Sequence, residues 1–449
     1  MKVKMISRSE VEHTRERKSD LIHKQRNLDP SLHPFERARE YTRALNATKL
    51  DKVFAKPFLA SLDGHRDGVY CFATNPKSLD TLVSGACDGE LRIWSLSQRR
   101  SLFDVRAHAG FVRGVTIAAD GESMFSVGAD KMVKMWKLDF GERNERISHS
   151  EPLTTWLGER AFNGISHQRG TTTFATCGGP RVDVWSQERS EPINTFEWGS
   201  ATVDSVAFNN VETHVLASVG SDRNIALYDL RGATPIRKLV MRMRPNCVAW
   251  NPMEAFNFTV ANEDHNCYTF DMRRLTHALR VHTDHVSSVM SVAYSPTGEE
   301  FVTGSYDRTV RIFRTQSNRS REVYYTRRMQ RCFSVAFSAD AKFVVSGSDD
   351  TNIRVWKAEA SKKLGVVLPR ERAQEQYQDK LKKKFKHLPE IARIRKDRHV
   401  PKPILTATKL KRTMKDARTR KDRNQRLHSK PGSVRKERER SKHIIKQLK

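Results

Sequence analysis

Seven stretches of this 449-residue chain share one pattern: a short turn, then an alternating strand that ends on an aromatic residue. They read SGACDGELRIW ending at Trp94, SVGADKMVKMW at Trp136, TCGGPRVDVW at Trp185 and SVGSDRNIALY at Tyr228. ANEDHNCYTF ends at Phe270, TGSYDRTVRIF at Phe313 and SGSDDTNIRVW at Trp356. The intervals between the aromatics are 42, 49, 43, 42, 43 and 43 residues. Chemistry needs a site once, whereas a turn that returns at fixed spacing is architecture. The period is that of one four-stranded propeller blade, so the seven copies predict a single all-β, seven-bladed ring over residues 58–357.

Six of the copies carry Asp six residues before the aromatic: Asp88, Asp130, Asp222, Asp264, Asp307 and Asp350. The third has Gly179 there. A carboxylate at this place accepts hydrogen bonds that hold a tight turn, as a buried polar group must. Apolar strands with small residues precede the turns, as in SVAF at 205, SVAY at 291 and SVAF at 334. Alternation in ELRIW, MVKMW, TVRIF and NIRVW sends one set of side chains between blades and the other toward solvent or the next strand.

On these residues the segment resembles the WD-repeat family. The resemblance implies a buried hydrogen-bonded tetrad of His, Ser or Thr, Asp and Trp in a complete blade. Blade one matches it with His65, Ser84, Asp88 and Trp94, and blade two with His108, Ser126, Asp130 and Trp136. Blade six supplies His285, Thr303 and Asp307 but ends in Phe313, which has no indole N–H to donate. Blades three, four, five and seven lack the His at the matching offset and are expected to be less tightly tied. The resemblance further implies that FLASL, residues 58–62, forms the outer strand of blade seven and closes the ring, removing exposed strand edges. A Ser, His and Asp set is also the composition of a hydrolase triad. Its recurrence inside blades, without a Gly-rich oxyanion turn, argues for the structural role.

Charge separates the ring from its flanks. Residues 1–57 hold 14 Lys+Arg against 8 Asp+Glu, residues 58–360 hold 36 against 35, and residues 361–449 hold 31 against 9. A near-neutral body therefore carries an N-terminal extension with short helices (1–57) and a basic helical C-terminal extension (358–449). MKVKMISRSEVEHTRERKSD has charges where a leader peptide needs an apolar run, and no window approaches a membrane span, so a soluble intracellular protein without a membrane partner is expected. Cysteines 71, 87, 177, 247, 267 and 332 stand singly, which predicts buried thiols and no metal. A P-loop, a dinucleotide glycine fingerprint and an isolated acid pair are all missing, so no enzyme, cofactor or small-molecule substrate is expected.

In the N-terminal extension, Pro34 is placed to start a helix whose Phe35, Ala38, Tyr41 and Leu45 fall on one face. That face fits either the propeller rim or a partner. In the C-terminal extension Tyr377, Leu381, Phe385 and Leu388 form a helical stripe to be held against protein. Around it lie Lys382, Lys383, Lys384, Lys386, Arg393, Arg395, Lys396 and Arg398, the candidate RNA-binding residues. A second basic stretch runs from residue 409 nearly to the end. A charge run is often only a solvated tail or an import signal. A net +22 over 89 residues, however, is self-repulsion that a polyanion relieves. With Tyr377 and Phe385 as the extension's aromatics, phosphate contact on structured RNA fits better than base stacking.

The ring together with HPFERAREYTRALNATKLDKVFAKPFLASLDGHRDGV, RHVPKPI and HSKPGSV is similar to the WD-repeat and Sof-domain protein family over essentially the whole chain. That resemblance implies a nucleolar protein of the U3 small nucleolar ribonucleoprotein and small-subunit processome. Its implied partners are the other processome proteins and pre-rRNA, and its role lies in the early cleavages that release 18S rRNA. A second class of function is written after two blades, in YDLR (228–231) and FDMR (270–273). Asp229, Arg231, Asp271 and Arg273 match the W-D-x-R box by which some WD-repeat proteins dock on the damage-binding adaptor of cullin-four ubiquitin ligases, although neither copy has the Trp. The plainer reading is that Asp and Arg stabilise a surface turn; a substrate-receptor role is able to coexist with ribosome assembly.

Overall fold

In the computed structural model of the chain, residues 31, 34–138, 151–198, 201–232, 234–434 and 436–448 are described. The charged start of the chain, read above against a leader peptide, lies outside them. Seven antiparallel sheets follow one another. Blade one consists of Val69–Thr74, Thr81–Ala86, Glu90–Ser95 and Arg100–Arg106, from the inner to the outer strand. The same order repeats in blades whose inner strands begin at Val112, Gly164, Val203, Pro245, Val289 and Cys332. Phe58–Leu62 completes blade seven, with Phe58 opposite Trp356 and Leu62 opposite Ile353. The ring is thus closed by its own first strand.

The core lies between the blades. Thr81–Ala86, Ser123–Gly128 and Val215–Gly220 are buried at every position. Val83, Leu91 and Ile93 of blade one pack with Val112, Val115, Met124 and Trp136 of blade two. Each such side chain contributes on the order of 1.5–3 kcal/mol by leaving water. Small residues let neighbouring blades approach: a Cβ on Gly85 would stand 2.6 Å from Val112 Cγ1 and 2.7 Å from Cys71 Sγ.

The residue after each turn aspartate is left-handed. Gly89, Lys131, Arg223, His265, Arg308 and Thr351 have φ of 89°, 65°, 68°, 68°, 63° and 68°. Such a φ is unfavourable for a side-chain-bearing residue, above all for β-branched Thr351. In four of these turns the carboxylate compensates by accepting the backbone N–H two residues on: Glu90 on Asp88 at 3.0 Å, Met132 on Asp130 at 3.2 Å, Asn266 on Asp264 at 3.1 Å and Thr309 on Asp307 at 3.0 Å. Asp350, before Thr351, is held by Arg354 at 3.0 Å instead, and Asp222 takes the Asn224 side-chain amide.

The chain divides into two compact units that interleave its sequence. One holds residues up to Val53 together with Lys363–Lys396; the other holds Phe54–Lys362 and Asp397–Lys449. The segment read as one C-terminal extension is thus shared between both. In the first unit, α1 (Glu36–Val53) meets α2 (Pro369–Lys384) and α3 (Pro389–Lys396). Ala44, Leu381 and Ile391 form its buried centre, with Tyr41, Leu45 and Phe385 around them. The inward face of α1 is therefore 41, 44, 45 and 48, the i, i+3, i+4, i+7 set, and Phe35 is left 72% exposed. Tyr41 and Leu45 of the expected face thus turn inward, whereas Phe35, before the first helical residue, and Ala38 are exposed.

In the second unit the chain after residue 397 joins the propeller. It forms α4 (Lys402–Leu427) and then a strand, Ile444–Leu448, that pairs with Pro235–Met241 and makes blade four five-stranded. All six cysteines are free thiols, but Cys71, Cys87 and Cys247 are half-buried where full burial was expected. Burial pushes the Cys87 thiol up to about 11.

Candidate functional site

In blade two, Ser126 Oγ sits 2.9 Å from His108 Nε2 and accepts from Trp136 Nε1 at 3.0 Å, while His108 Nδ1 lies 2.9 Å from Asp130. Blade six repeats the chain from Thr303 to His285 to Asp307 at 2.7 and 2.8 Å, and Phe313 supplies no donor. There Thr303 Oγ1 donates to the Arg311 carbonyl at 3.3 Å instead. Burial alone would raise the Asp307 carboxyl, but the His285 ring, its hydrogen bond and Arg311 outweigh burial and hold the carboxyl below its ordinary value. Blade one differs from the expected tetrad at Asp88. Trp94 Nε1 donates to Ser84 Oγ at 2.7 Å and His65 Nε2 is 2.6 Å from it, but His65 Nδ1 faces Glu90 at 3.3 Å. Asp88 is turned into its own turn by the Glu90 N–H, and the longer Glu90, paired with Arg92 at 2.6 Å, reaches the ring in its place. Ser84 and Ser126 are fully buried, so these hydroxyls are internal ties. The blades without the His keep part of the network: Trp185 donates to Thr176 at 2.8 Å and Trp356 to Ser346 at 2.8 Å.

The eight candidate RNA-binding cations do not stand alike. Lys382 is 2.6 Å from Asp51 and 2.8 Å from Asp379, Lys384 pairs with Glu40, and Arg398 is 2.8 Å from Asp284 and 3.0 Å from Ser320 Oγ. Lys382 and Lys384 tie α2 to α1 within the first unit, and Arg398 ties the chain to the propeller within the second. Lys383, Lys386, Arg393, Arg395 and Lys396 are exposed, with no carboxylate in ion-pair range among the described residues. The apolar stripe does meet protein: Leu381 is buried, Phe385 lies edge-on to Tyr41 at 6.1 Å, and Tyr377 accepts from Arg43 at 3.3 Å.

A larger set of cations lies on α4, which holds ten Lys+Arg against two Asp; Arg412 pairs with Asp416 at 3.9 Å and Lys415 with Glu439 at 3.1 Å. Ile404 is buried, and Lys411 donates to the His285 carbonyl at 3.0 Å. Arg412, Arg418, Arg420, Lys421 and Arg423 are exposed. Upstream, Tyr325 hydrogen-bonds and stacks on His399. Downstream, the His443 ring lies tilted against Tyr268 at 4.6 Å and is 3.5 Å from Asp264. The extension is therefore anchored where the turn aspartates of blades five and six lie. Charge density was the signal for these residues; their exposure was not readable from it.

The two boxes end the third strands of blades four and five, Asn224–Asp229 and Asn266–Asp271, at the ends away from the aspartate turns. Asp229 accepts the Arg231 N–H at 3.0 Å, and Asp271 accepts the Arg273 N–H at 2.9 Å. Arg273 also reaches Asp271 through Nε at 3.1 Å and Nη2 at 2.9 Å and lies 4.1 Å from the Phe256 ring centre. That hydrogen bond holds the Asp271 carboxyl below its usual range. Arg237, on the strand between the boxes, donates to the carbonyls of Met272 and Arg273. Adjacent blades thereby present both arginines on one surface. Arg231 has no carboxylate in ion-pair range among the described residues.

Comparison with known proteins agrees in extent with this architecture. The chain is 53% identical over 445 residues to DDB1- and CUL4-associated factor 13 of Xenopus laevis, covering 99% of each. The Homo sapiens protein of that name is 53% identical over 448 residues and the Dictyostelium discoideum one 50% over 447, again with 99% of each chain covered. This chain belongs to the DDB1- and CUL4-associated factor 13 family. The Sof1-like domain profile matches residues 358–444, and the WD domain, G-beta repeat, matches 56–95, 99–137, 275–314 and 327–357. In this family member the unmatched stretch corresponds to blades three to five, the copies with Gly179, Tyr228 and Phe270 and no His. Their strands nonetheless form complete blades.

Proposed function

We propose that this chain is a non-enzymatic scaffold of ribosome biogenesis, a nucleolar component of the U3 small nucleolar ribonucleoprotein and small-subunit processome. It acts in early pre-rRNA cleavage and 18S rRNA maturation. The observation that carries this reading is α4, a helix of net +8 within the Sof1-like segment, anchored to a near-neutral propeller with Arg418, Arg420, Lys421 and Arg423 in solvent. Rows of Lys and Arg on a rigid helix meet phosphates and release counterions without reading bases. The exposed Lys383, Lys386, Arg393, Arg395 and Lys396 are a second cationic group, whereas Lys382, Lys384 and Arg398 serve folding. The test is a salt titration on structured precursor RNA with wild type and a variant in which Arg418, Arg420, Lys421 and Arg423 are replaced by Gln. Weaker binding is expected, with a log affinity–log salt slope smaller by up to about 3 if all four touch phosphate. Equal affinity and slope would remove α4 as an RNA contact.

A second reading is favoured by the relatives' name, which associates them with DDB1 and CUL4. The paired boxes are a suitable surface for the damage-binding adaptor of a cullin-four ligase, with Arg231 and Arg273 offered from adjacent blades. The boxes and the anchored extension use opposite ends of the blade strands, so the two roles are compatible. Arg231→Glu with Arg273→Glu is expected to abolish co-purification of the adaptor while sparing the fold, because charge reversal leaves the partner's group unpaired. Undiminished co-purification with the folded double variant would rule out docking through these arginines.

A further inference from the structure

Blade two ends on Thr154–Leu157, an outer strand with no further strand beyond it among the described residues. An unpaired edge is a template for another strand, and folded proteins guard it with charges, irregular pairing or a cover. The other blades of this ring do so. Arg100–Arg106 of blade one carries Arg100, Asp104 and Arg106, Asn194–Glu197 of blade three ends on an exposed Glu197, and Arg280–Thr283 of blade five begins on Arg280. Ser320–Tyr324 of blade six holds Arg321 and Glu322, and the register of Phe58–Leu62 in blade seven shifts between Phe58 and Ala60. Blade four is covered by Ile444–Leu448. Blade two has none of these guards: Thr154–Leu157 bears no charge, and its register with Met132–Lys137 runs without a shift.

The same edge is apolar. Leu153 and Leu157 are 57% and 70% exposed, with exposed Thr155 between them on one face. Met132, opposite Leu157 and half-buried, widens that apolar margin. Lys134, opposite Thr155, would guard the edge if its amine stood in solvent, but the amine donates to the Ala107 carbonyl at 2.6 Å. On the other face Trp156 is buried against Phe125 and Phe174, which fixes the strand before any partner arrives. Gly158 N–H donates inward to the Lys131 carbonyl at 2.8 Å, so the alternation of an antiparallel ladder turns the N–H and C=O of Thr155 and Leu157 outward. Blade four shows what such an edge takes: a short aliphatic strand, antiparallel, with Leu448 opposite Lys238 and Ile444 opposite Met241. That strand of the chain is spent there. We propose that Thr154–Leu157 is a docking edge for an extended aliphatic segment of a partner protein, which joins blade two as a fifth strand. Its main chain pairs with Thr155 and Leu157, and its uncharged branched side chains lie on Leu153 and Leu157.

The probe is the peptide acetyl-Lys-Thr-Val-Thr-photoleucine-Thr-Val-Lys-amide, cross-linked to the full chain and mapped by mass spectrometry. Its control carries N-methyl groups on photoleucine and both flanking threonines, which keeps the side chains and blocks main-chain pairing. The peptide is expected to label residues 132–135 and 153–157, and the control about tenfold less, the effect of losing main-chain hydrogen bonds. Thr155→Pro removes an outward N–H, a change that an edge strand tolerates, and should lower labelling about tenfold. Leu157→Lys supplies the missing guard at an exposed position and should lower it to a similar extent, with the thermal midpoint of wild type. Labelling that is equal for peptide and control, unchanged in both variants, or confined to the other blades overturns the site. Sedimentation of the full chain is expected to show a monomer. A dimer that Leu157→Lys splits would show that a second copy holds the edge, and would overturn the partner segment.

Discussion

The ammonium of Lys411 on α4 lies 3.0 Å from the backbone carbonyl oxygen of His285, the residue that leads into blade six. Burial there pushes the Lys411 amine down to about 8, and the nearby Asp264, Asp307 and Asp284 offset only part of that effect. Because the folded value lies below that of a free lysine, the unfolded chain binds more protons between about pH 8 and 10.5. Stability should therefore rise with pH through that window, the burial penalty being fully present below it. Lys411→Met, which keeps the length without the charge, should lack the rise. Thermal midpoints of both proteins from pH 7 to 10.5 measure it, and parallel curves would refute the assignment.

Glu90, not Asp88, faces His65. Glu90→Ala should cost on the order of 2–3 kcal/mol, since it leaves partly buried Arg92 unpaired and the His65 ring without its carboxylate. Asp88→Ala should cost about 1 kcal/mol, the value of one turn-capping bond. Denaturant midpoints of the two variants decide the order, and the reverse order would restore Asp88 to the tetrad. Trp94→Ala, which empties a fully buried site, should cost about 3–5 kcal/mol.

His282 in blade five is buried between Phe301 and Phe313, with Nε2 3.0 Å from Thr269 Oγ1 and Nδ1 2.8 Å from the Ser317 carbonyl. Burial first, and Arg280 second, push it down to about 4 against the bond to Ser317. The unfolded chain then takes up a proton before the folded one as pH falls. Stability should be lost from about pH 6.5 down to about 4, by up to about 3 kcal/mol. His282→Asn, which retains a donor for Ser317, should flatten this part of the pH dependence in thermal unfolding. An unchanged slope would show that His282 is already charged in the fold.

The strand Ile444–Leu448 adds main-chain pairs from Lys238 to Leu448 and from Met241 to Ile444, and Ile444 packs on the core of blades four and five. Removing residues 444–449 should re-expose the edge of Pro235–Met241 and lower the thermal midpoint, with faster proteolysis in blade four. A midpoint equal to that of the full chain would show that the added strand carries no stability.

The ring was legible in the chain because each blade needs the same turn and the same alternation, and local chemistry repeats wherever a local structure does. Asp130 and Asp307 belong to that class, as does the step of four that brings Leu381 and Phe385 to one face, whereas the closing strand Phe58–Leu62 was expected only from the family resemblance. Tertiary structure decided what distant segments do to one another. Asp88 and Glu90 are both acids within two residues of a turn, and only the side chain's reach in three dimensions gives His65 to the second. Lys382, Lys384 and Arg398 are indistinguishable by sequence from Lys383, Lys386 and Arg395. They differ because Asp51, Glu40 and Asp284, far away along the chain, are folded against the first three. Strand 444–448 shows the same limit, since IIKQL by itself does not point to the edge of Pro235–Met241 with which it pairs. Periodicity reports contacts that recur at fixed separation; an ion pair or an edge pairing made once leaves no period to read.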